Sequence, residues 1–331
     1  MIPVQRPNIG EAELEAVRVV FDSRWLGMGS TVKDFEDSVS EFLGGPHVIA
    51  VNSGTSALHL ALEALDVGPG DEVLVPSFTF VASTQAISAT GATPVFCDVI
   101  QDTLNLDPED LARKITPRSK AIMPVHYRGL PCDMEAIQRI AKDHDLRIVE
   151  DAAHAFGSYY RGKRIGSFAD IACFSFDPIK NITCGEGGAI VTQNGSLAET
   201  IQQKRILGID NDTWSRYRNE RSWFYNVTTQ GYRYHMSNIN AAIGVEQLKR
   251  FDEFNDRKLE VAKRYDAAFA SLKRVQLLRT EYEGIALFMY IVKVTEDRDG
   301  AMAQLKEHGV GTGVHYIPSH MFTFYEGSST A

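Results

Sequence analysis

Between two apolar runs, residues 171–176 and 189–192, the chain places a polar turn carrying Lys180, followed by Gly185, Gly187 and Gly188. The runs read as buried strands, so a lysine held between them is partly desolvated. Desolvation favours the neutral amine, the form that attacks a carbonyl and builds a Schiff base. An exposed loop lysine is the other reading of the same turn. RIVEDAAHAFG, residues 147–157, is a second chemically loaded stretch: a short apolar strand ending in Glu150 and Asp151. In alternating α/β chains, ligand-handling groups gather at the carboxyl ends of parallel strands. A carboxylate there suits pyridoxal 5'-phosphate (PLP), whose ring nitrogen stays protonated beside an anion. A helix N-cap is the rival role for Asp151 taken singly.

Residues 47–65 supply a phosphate site, reading as strand (HVIAV), turn (NSGTS) and helix (ALHLALEAL). Gly54 permits close backbone approach, and Thr55 and Ser56 bring hydroxyls and amides to a helix start. Free N–H groups and the helix dipole favour an anion there.

Five segments in order, NSGTSALHLAL, PSFTFVAS, EDAAHAFGS, FSFDPIKNITCGEGG and GYRYHMSNINAAIG, resemble the DegT-type sugar aminotransferases, PLP enzymes of the aspartate aminotransferase fold. The resemblance runs from Pro3 to about His320. It implies fold type I: a three-layer α/β/α large domain with a mostly parallel sheet, over 1–245, and a smaller α+β C-terminal domain, over 246–331. It implies transfer of an amino group from L-glutamate to a keto sugar on a nucleotide diphosphate, a dTDP-, UDP- or GDP-linked keto-6-deoxy sugar. The product would enter amino-sugar and cell-surface polysaccharide biosynthesis, such as an O-antigen. Lys180 would carry the cofactor and move the proton, and Asp151 would face the ring nitrogen. Ser175, Gly54 and Thr55 would bind phosphate. Phe80 would stack on the ring, against a core phenylalanine as the plainer alternative. His154, where the family more often has Gln, would support the cofactor hydroxyl. The GYRYH segment finds no local partner in the sequence pattern. By resemblance it reaches across a homodimer, so Arg233 or His235 would meet the neighbour's phosphate; surface residues are the alternative. His315, Tyr316 and His320, in HYIPSH, resemble the segment bordering the substrate sugar. Family members usually continue a few dozen residues beyond it, so the small domain is expected to be shorter here. Relatives that dehydrate sugars carry histidine in place of the lysine, and a non-catalytic homologue would be expected to lose Lys180 or Asp151. Both residues are present.

The elements needed to position these groups follow from the pattern of the 331 residues. Strand-length runs at 48–51, 73–75, 94–99, 121–125, 148–149 and 171–176 alternate with helical segments at 55–65, 82–90 and 134–144. Such alternation predicts a largely parallel sheet covered on both faces. No GxGxxG follows the first strand, which disfavours a dinucleotide fold. Amphipathic helices are expected at 9–21 and 33–43, with Trp25 in the loop between them, and Ser237 as the N-cap of a helix after GYRYH. The charged stretch 251–264 predicts a solvated helix, followed by strands at 285–294 and 311–316 and a helix at 301–308. The stretch 197–230, rich in Arg, Trp and Tyr, suits either a diphosphate site or a subunit contact.

Apolar content of 44% supports a large core, and net charge of −9 without a basic block argues against nucleic acid. The polar start MIPVQRPNIGEAELE and the lack of a membrane-length apolar run point to a cytoplasmic protein. Cys97, Cys132, Cys173 and Cys184 lie far apart without metal spacing and are expected to be reduced and buried.

Overall fold

A computed structural model describes residues 1–209, 225–278 and 280–326. Much of the arginine- and aromatic-rich stretch, residues 210–224, lies outside the described residues. Seven strands form the central sheet: β1 (His47–Val51), β2 (Glu72–Pro76), β3 (Thr93–Cys97), β4 (Ser119–Ile122), β5 (Arg147–Asp151), β8 (Ile171–Ser175) and β9 (Gly188–Thr192). A hairpin, β6 (Tyr159–Tyr160) with β7 (Lys163–Arg164), stands apart from it. The sheet order is β1-β9-β8-β5-β4-β2-β3, and β9 alone runs antiparallel to its neighbours.

Two-residue periodicity sorts the strand side chains onto two layers. Ile49, Val51, Val149, Ile171, Cys173 and Ile190 pack with the helix Gly54–Ala64, whose Ala57–Leu62 stretch is buried throughout. Val48, Ala50, Ala172, Phe174, Ala189 and Val191 pack on the other side with Phe35, Val39 and Ala241 from the helices Ser30–Leu43 and Asn238–Lys249. Burial on both faces explains why these strands read as unbroken apolar runs. Ser237 caps its helix as expected, accepting from the Asn240 N–H at 3.2 Å. All four cysteines are buried and unpaired, and no helix among the described residues is long and apolar enough to cross a membrane.

The C-terminal part departs from expectation. Charged residues 251–264 do form a helix, Phe251–Phe269. The strand expected over 285–294 shrinks to β11 (Val292–Val294), paired with β10 (Val275–Leu277). The backbone of 285–288 is committed elsewhere: Ala286 N–H donates to Ser158 Oγ, Leu287 N–H to Asn255 Oδ1, and Phe288 N–H to the Arg128 carbonyl. With its donors spent on side chains and a loop, the segment cannot join a ladder. The stretch 311–316 is not a strand either; Val310 makes a single bridge to Ile2. The helix near 301–308 is present as Arg298–Glu307.

A buried ion pair ties the layers together. Glu36 Oε1 accepts from the Ala50 N–H at 2.9 Å and from Arg205 Nη1 at 2.5 Å, and the same Nη1 donates to the Ala50 carbonyl at 2.8 Å. Removing one partner strands the other charge in low dielectric. Glu36→Ala is therefore expected to cost about 3–5 kcal/mol in urea unfolding. A loss below about 1 kcal/mol would mean that water replaces the carboxylate at Arg205.

Candidate active site

The turn carrying Lys180 is pinned from three directions. Its N–H donates to the Asp177 carbonyl at 3.0 Å, and Asp177 Oδ1 accepts from the Ile179 N–H at 3.1 Å. Asn181 Nδ2 donates to the carbonyls of Phe156 and Ala286, each at 3.2 Å. Lys180 is half-buried, with Nζ 4.3 Å from the centre of the Phe288 ring. Burial lowers its pKa, while the negative charges of Asp151 and Asp177 act in the opposite sense. The exposed-loop reading is thereby excluded.

Asp151 ends β5 on the same face as Val149, and register pairs it with Cys173. Ser175 lies two residues beyond Cys173 on that face, so strand alternation brings both polar groups to one side of the sheet. Asp151 is only 5% exposed. Ser83 Oγ donates to its Oδ2 at 2.7 Å, the Ala153 N–H to its Oδ1 at 3.1 Å, and Thr79 Oγ1 lies 2.8 Å from Ser83 Oγ. Burial raises its pKa; the hydrogen bonds from Ser83 and Ala153 and the positive charge of Lys180 pull it back. Glu150, paired with Asp151 in the sequence reading, points to the opposite face. Its Oε2 meets His126 Nε2 at 2.9 Å, and His126 Nδ1 accepts from the Cys132 N–H at 3.1 Å. That backbone donor fixes the His126 proton on Nε2, so Glu150 belongs to a buried structural pair.

The strand–turn–helix expected over 47–65 is present, and its helix start meets the end of β8. Ser53 caps the helix Gly54–Ala64 by accepting from the Ser56 N–H at 3.1 Å. The N–H groups of Gly54 and Thr55, in its first turn, have no acceptor inside the helix. A Cβ at Gly54 would stand 2.8 Å from the Ser175 Cβ, so only glycine lets the helix start meet the end of β8. Phe80, 51% exposed at the N-terminus of the helix Val81–Ala89, is not a core residue. Its ring lies 5.4 Å from that of Tyr316.

His154 is buried and stacks on Phe288 at 4.2 Å and 17°. Its Nε2 lies 3.2 Å from the Tyr316 hydroxyl, and its Nδ1 is buried without a partner. The Tyr127 hydroxyl donates to the His315 carbonyl, which fixes the 315–316 segment beside the site. Burial lowers the pKa of His315, and the charge of Lys180 lowers it further. His320 is exposed at the rim, its Nδ1 2.5 Å from Ser77 Oγ just past the end of β2.

In the GYRYH segment, contrary to expectation, Tyr232 and Tyr234 have partners within the chain. Tyr232 donates to Glu63 at 2.9 Å, and the Tyr234 hydroxyl lies 3.1 Å from His59 Nδ1. The Asn52 N–H donates to the Tyr234 carbonyl at 2.7 Å, holding the segment against the end of β1. Alternation then turns Arg233 and His235 the other way. Arg233 is exposed and makes no hydrogen bond or ion pair among the described residues, and His235 Nδ1 is buried without a partner.

PLP fits this arrangement on three counts: a cradle at Gly54 that a Cβ would fill, an orphaned buried nitrogen on His154, and a buried carboxylate within the field of a desolvated lysine. Ser83, Asn181 and Phe288 were not singled out in the sequence. Ser83 falls within the PSFTFVAS motif, but Phe288 carries no local signal. Gly54→Ala must displace Ser175, and PLP titrated into the apoprotein should bind at least about tenfold more weakly, a change of ~1.4 kcal/mol. Unchanged affinity would show that the phosphate does not use this cradle.

Comparison with known proteins agrees. The model of the DegT/DnrJ/EryC1/StrS aminotransferase family matches residues 7–331. The spore coat polysaccharide biosynthesis protein SpsC of Bacillus subtilis is 40% identical over 332 aligned residues, covering 98% of this chain and 85% of SpsC. The sugar aminotransferase CalS13 of Micromonospora echinospora superposes with a TM-score of 0.91 at 33% identity, covering 100% of this chain and 90% of CalS13. Spr1654 of Streptococcus pneumoniae, solved in PMP and PLP forms, superposes at 0.92 and 0.90 with 33% identity, covering 98% of this chain and 88% and 87% of its own. The chain belongs to the DegT/DnrJ/EryC1/StrS aminotransferase family, sugar aminotransferases of fold type I that work with pyridoxal phosphate.

Proposed function

We propose that the protein transfers an amino group from L-glutamate to the keto carbon of a sugar carried on a nucleotide diphosphate. The sugar would be a keto-6-deoxy sugar on dTDP, UDP or GDP. The observation that carries this reading is Lys180, an amine desolvated against Phe288 and within the field of the buried Asp151. Dehydrating relatives with histidine at this position lack that amine. When bound, the cofactor supplies an electron sink for the carbon that bears the amino group. Lys180 Nζ would hold the cofactor at rest and, once freed, would carry the proton from the α-carbon of glutamate to the cofactor side, then in the second half-reaction from there to the sugar carbon. Asp151, oriented by Ser83 and Ala153, keeps the ring nitrogen charged. Gly54, Thr55 and Ser175 hold the phosphate, and Phe80 covers the ring face. His154 meets the ring hydroxyl, and His315, Tyr316 and His320 border the sugar. This reading divides the chain into a cofactor domain over 1–245 and a smaller domain over 246–331. It places the reaction in the cytoplasm, in keeping with four unpaired cysteines, and its product in a cell-surface polysaccharide, in keeping with SpsC.

A screen of keto-sugar nucleotides with L-glutamate, read by mass spectrometry, should yield one aminated product from wild type and none from Lys180→Ala. Borohydride reduction of the PLP-loaded protein, followed by peptide mapping, should place the pyridoxyl label on Lys180. A label on another lysine, or turnover by the alanine variant, would refute the assignment.

The working unit in this reading is a homodimer with shared sites. Arg233 is exposed on a segment anchored from behind by Tyr232 and Tyr234, as a group serving a neighbour would be. A helix start and Ser175 leave phosphate charge uncompensated, and a cation from the partner would offset it. Mixing Lys180→Ala with the double variant Arg233→Ala, His235→Ala should restore activity in mixed dimers, where one of the two sites is intact. Mixed dimers without activity would place all these groups in one chain.

A further inference from the structure

The buried His154 and the half-buried Tyr316 form a pair whose proton positions can be worked out. His154 Nε2 and the Tyr316 hydroxyl are 3.2 Å apart, and Nδ1 is buried with no partner. The Tyr316 hydroxyl has no other acceptor among the described residues. Two arrangements are open. If Nε2 carried the proton and donated to the phenol oxygen, the phenol O–H would lack an acceptor and the Nδ1 lone pair would lack a donor. If the phenol donates to Nε2, both of those atoms are satisfied and only the Nδ1 N–H waits for a partner. Leaving fewer buried polar groups unmet decides for the second. Burial, with the charge of Lys180, keeps the imidazole neutral, so it holds one proton and not two. Burial likewise keeps the Tyr316 phenol protonated and able to donate.

We propose that Tyr316 is a positioning residue that acts through His154: its hydroxyl fixes the Nδ1–H tautomer, making His154 a hydrogen-bond donor to the anionic ring oxygen of the cofactor. This rests on the reading above that the cofactor ring lies by Asp151 and Lys180. Phosphate and ring nitrogen already have partners in the cradle and in Asp151, so the phenolate oxygen is the acceptor left for an orphaned N–H. Tyr316, assigned by resemblance to the sugar border, thus has its hydroxyl committed to the cofactor side. Two neighbours hold it there. Its ring lies 5.4 Å from Phe80 and 6.2 Å from Tyr127, and the Tyr127 hydroxyl anchors the preceding carbonyl. Phe288, stacked on the imidazole, fixes the ring plane.

The protein contains its own reference. His126 Nδ1 accepts a backbone N–H, so its proton is on Nε2, the opposite tautomer. Nitrogen NMR of the full-length chain with labelled histidine, assigned with His154→Gln and His126→Gln, reads both directly, before and after adding PLP. His154 should show a pyrrole-type Nδ1 and a pyridine-type Nε2, His126 the reverse, and PLP should shift the Nδ1 signal of His154. Tyr316→Phe should lower the ratio of Nδ1–H to Nε2–H by about fivefold or more, the worth of one hydrogen bond. An Nε2–H tautomer at His154 in the wild type, or an unchanged ratio in Tyr316→Phe, would overturn the proposal. The expected tautomer with no response of its Nδ1 to bound PLP would overturn the donor role. A protein that takes up no PLP would count against the cofactor reading and leave the Tyr316–His154 tautomer result standing separately.

Discussion

A carboxylate shut away from water is tolerable only where donors and a positive charge meet it, and Asp151 imposes that condition on its surroundings. Its position at the end of β5 follows from strand parity, which sends it to the face that receives Ser175 and the helix Gly54–Ala64. Ser83 and Ala153 fill one lone pair on each oxygen. Further charge is left for a cation, supplied in part by Lys180 across the site. Burial raises the carboxyl pKa and lowers the amine pKa, so each group is pushed toward neutrality and each pulls the other back. A cofactor that presents a protonated ring nitrogen and an electrophilic carbon relieves both tensions at once.

The amine side of the site depends on parts of the chain far apart in sequence. Phe288 touches both Lys180 and His154, and it reaches them because the 285–288 backbone is drawn in by Arg128, Ser158 and Asn255. Gly129 makes room for this segment. At its φ of +97° a Cβ would stand 2.1 Å from the Ala286 carbonyl oxygen. Asn181 closes the arrangement by donating to that same carbonyl, which couples the lysine turn to the segment beneath it. The local order of the turn is therefore bought with long-range hydrogen bonds.

Alternation in an extended segment, the principle that places Asp151, also organises GYRYH. Tyr232 and Tyr234 stack on each other at 5.1 Å and grip His59 and Glu63 on the helix whose other end, at Gly54, meets Ser175. One helix thereby supports the Gly54 turn at its start and, through its middle, the segment that exposes Arg233.

The alternation of strands and helices as far as β9, the sheet class, the lysine turn, the glycine at the helix start and the buried carboxylate were all legible in the sequence. Each rests on a local rule: unbroken apolar runs for strands buried on both faces, glycine for close approach, a cap residue at a helix start. Parity within β5 already separates Glu150 from Asp151, but which of the two faces the site depends on which layer covers it. The roles of Phe288 and Tyr316 could not be read locally. Residues 285–294 and 311–316 have strand-like composition, yet their backbone groups are taken up by side chains and loops brought near only when the chain closes, so no local pattern encodes their conformation. The tautomer of His154 is decided in the same way, by a hydroxyl 162 positions distant along the chain. Composition determines what each group can donate or accept, and only the folded chain determines which partners remain within reach.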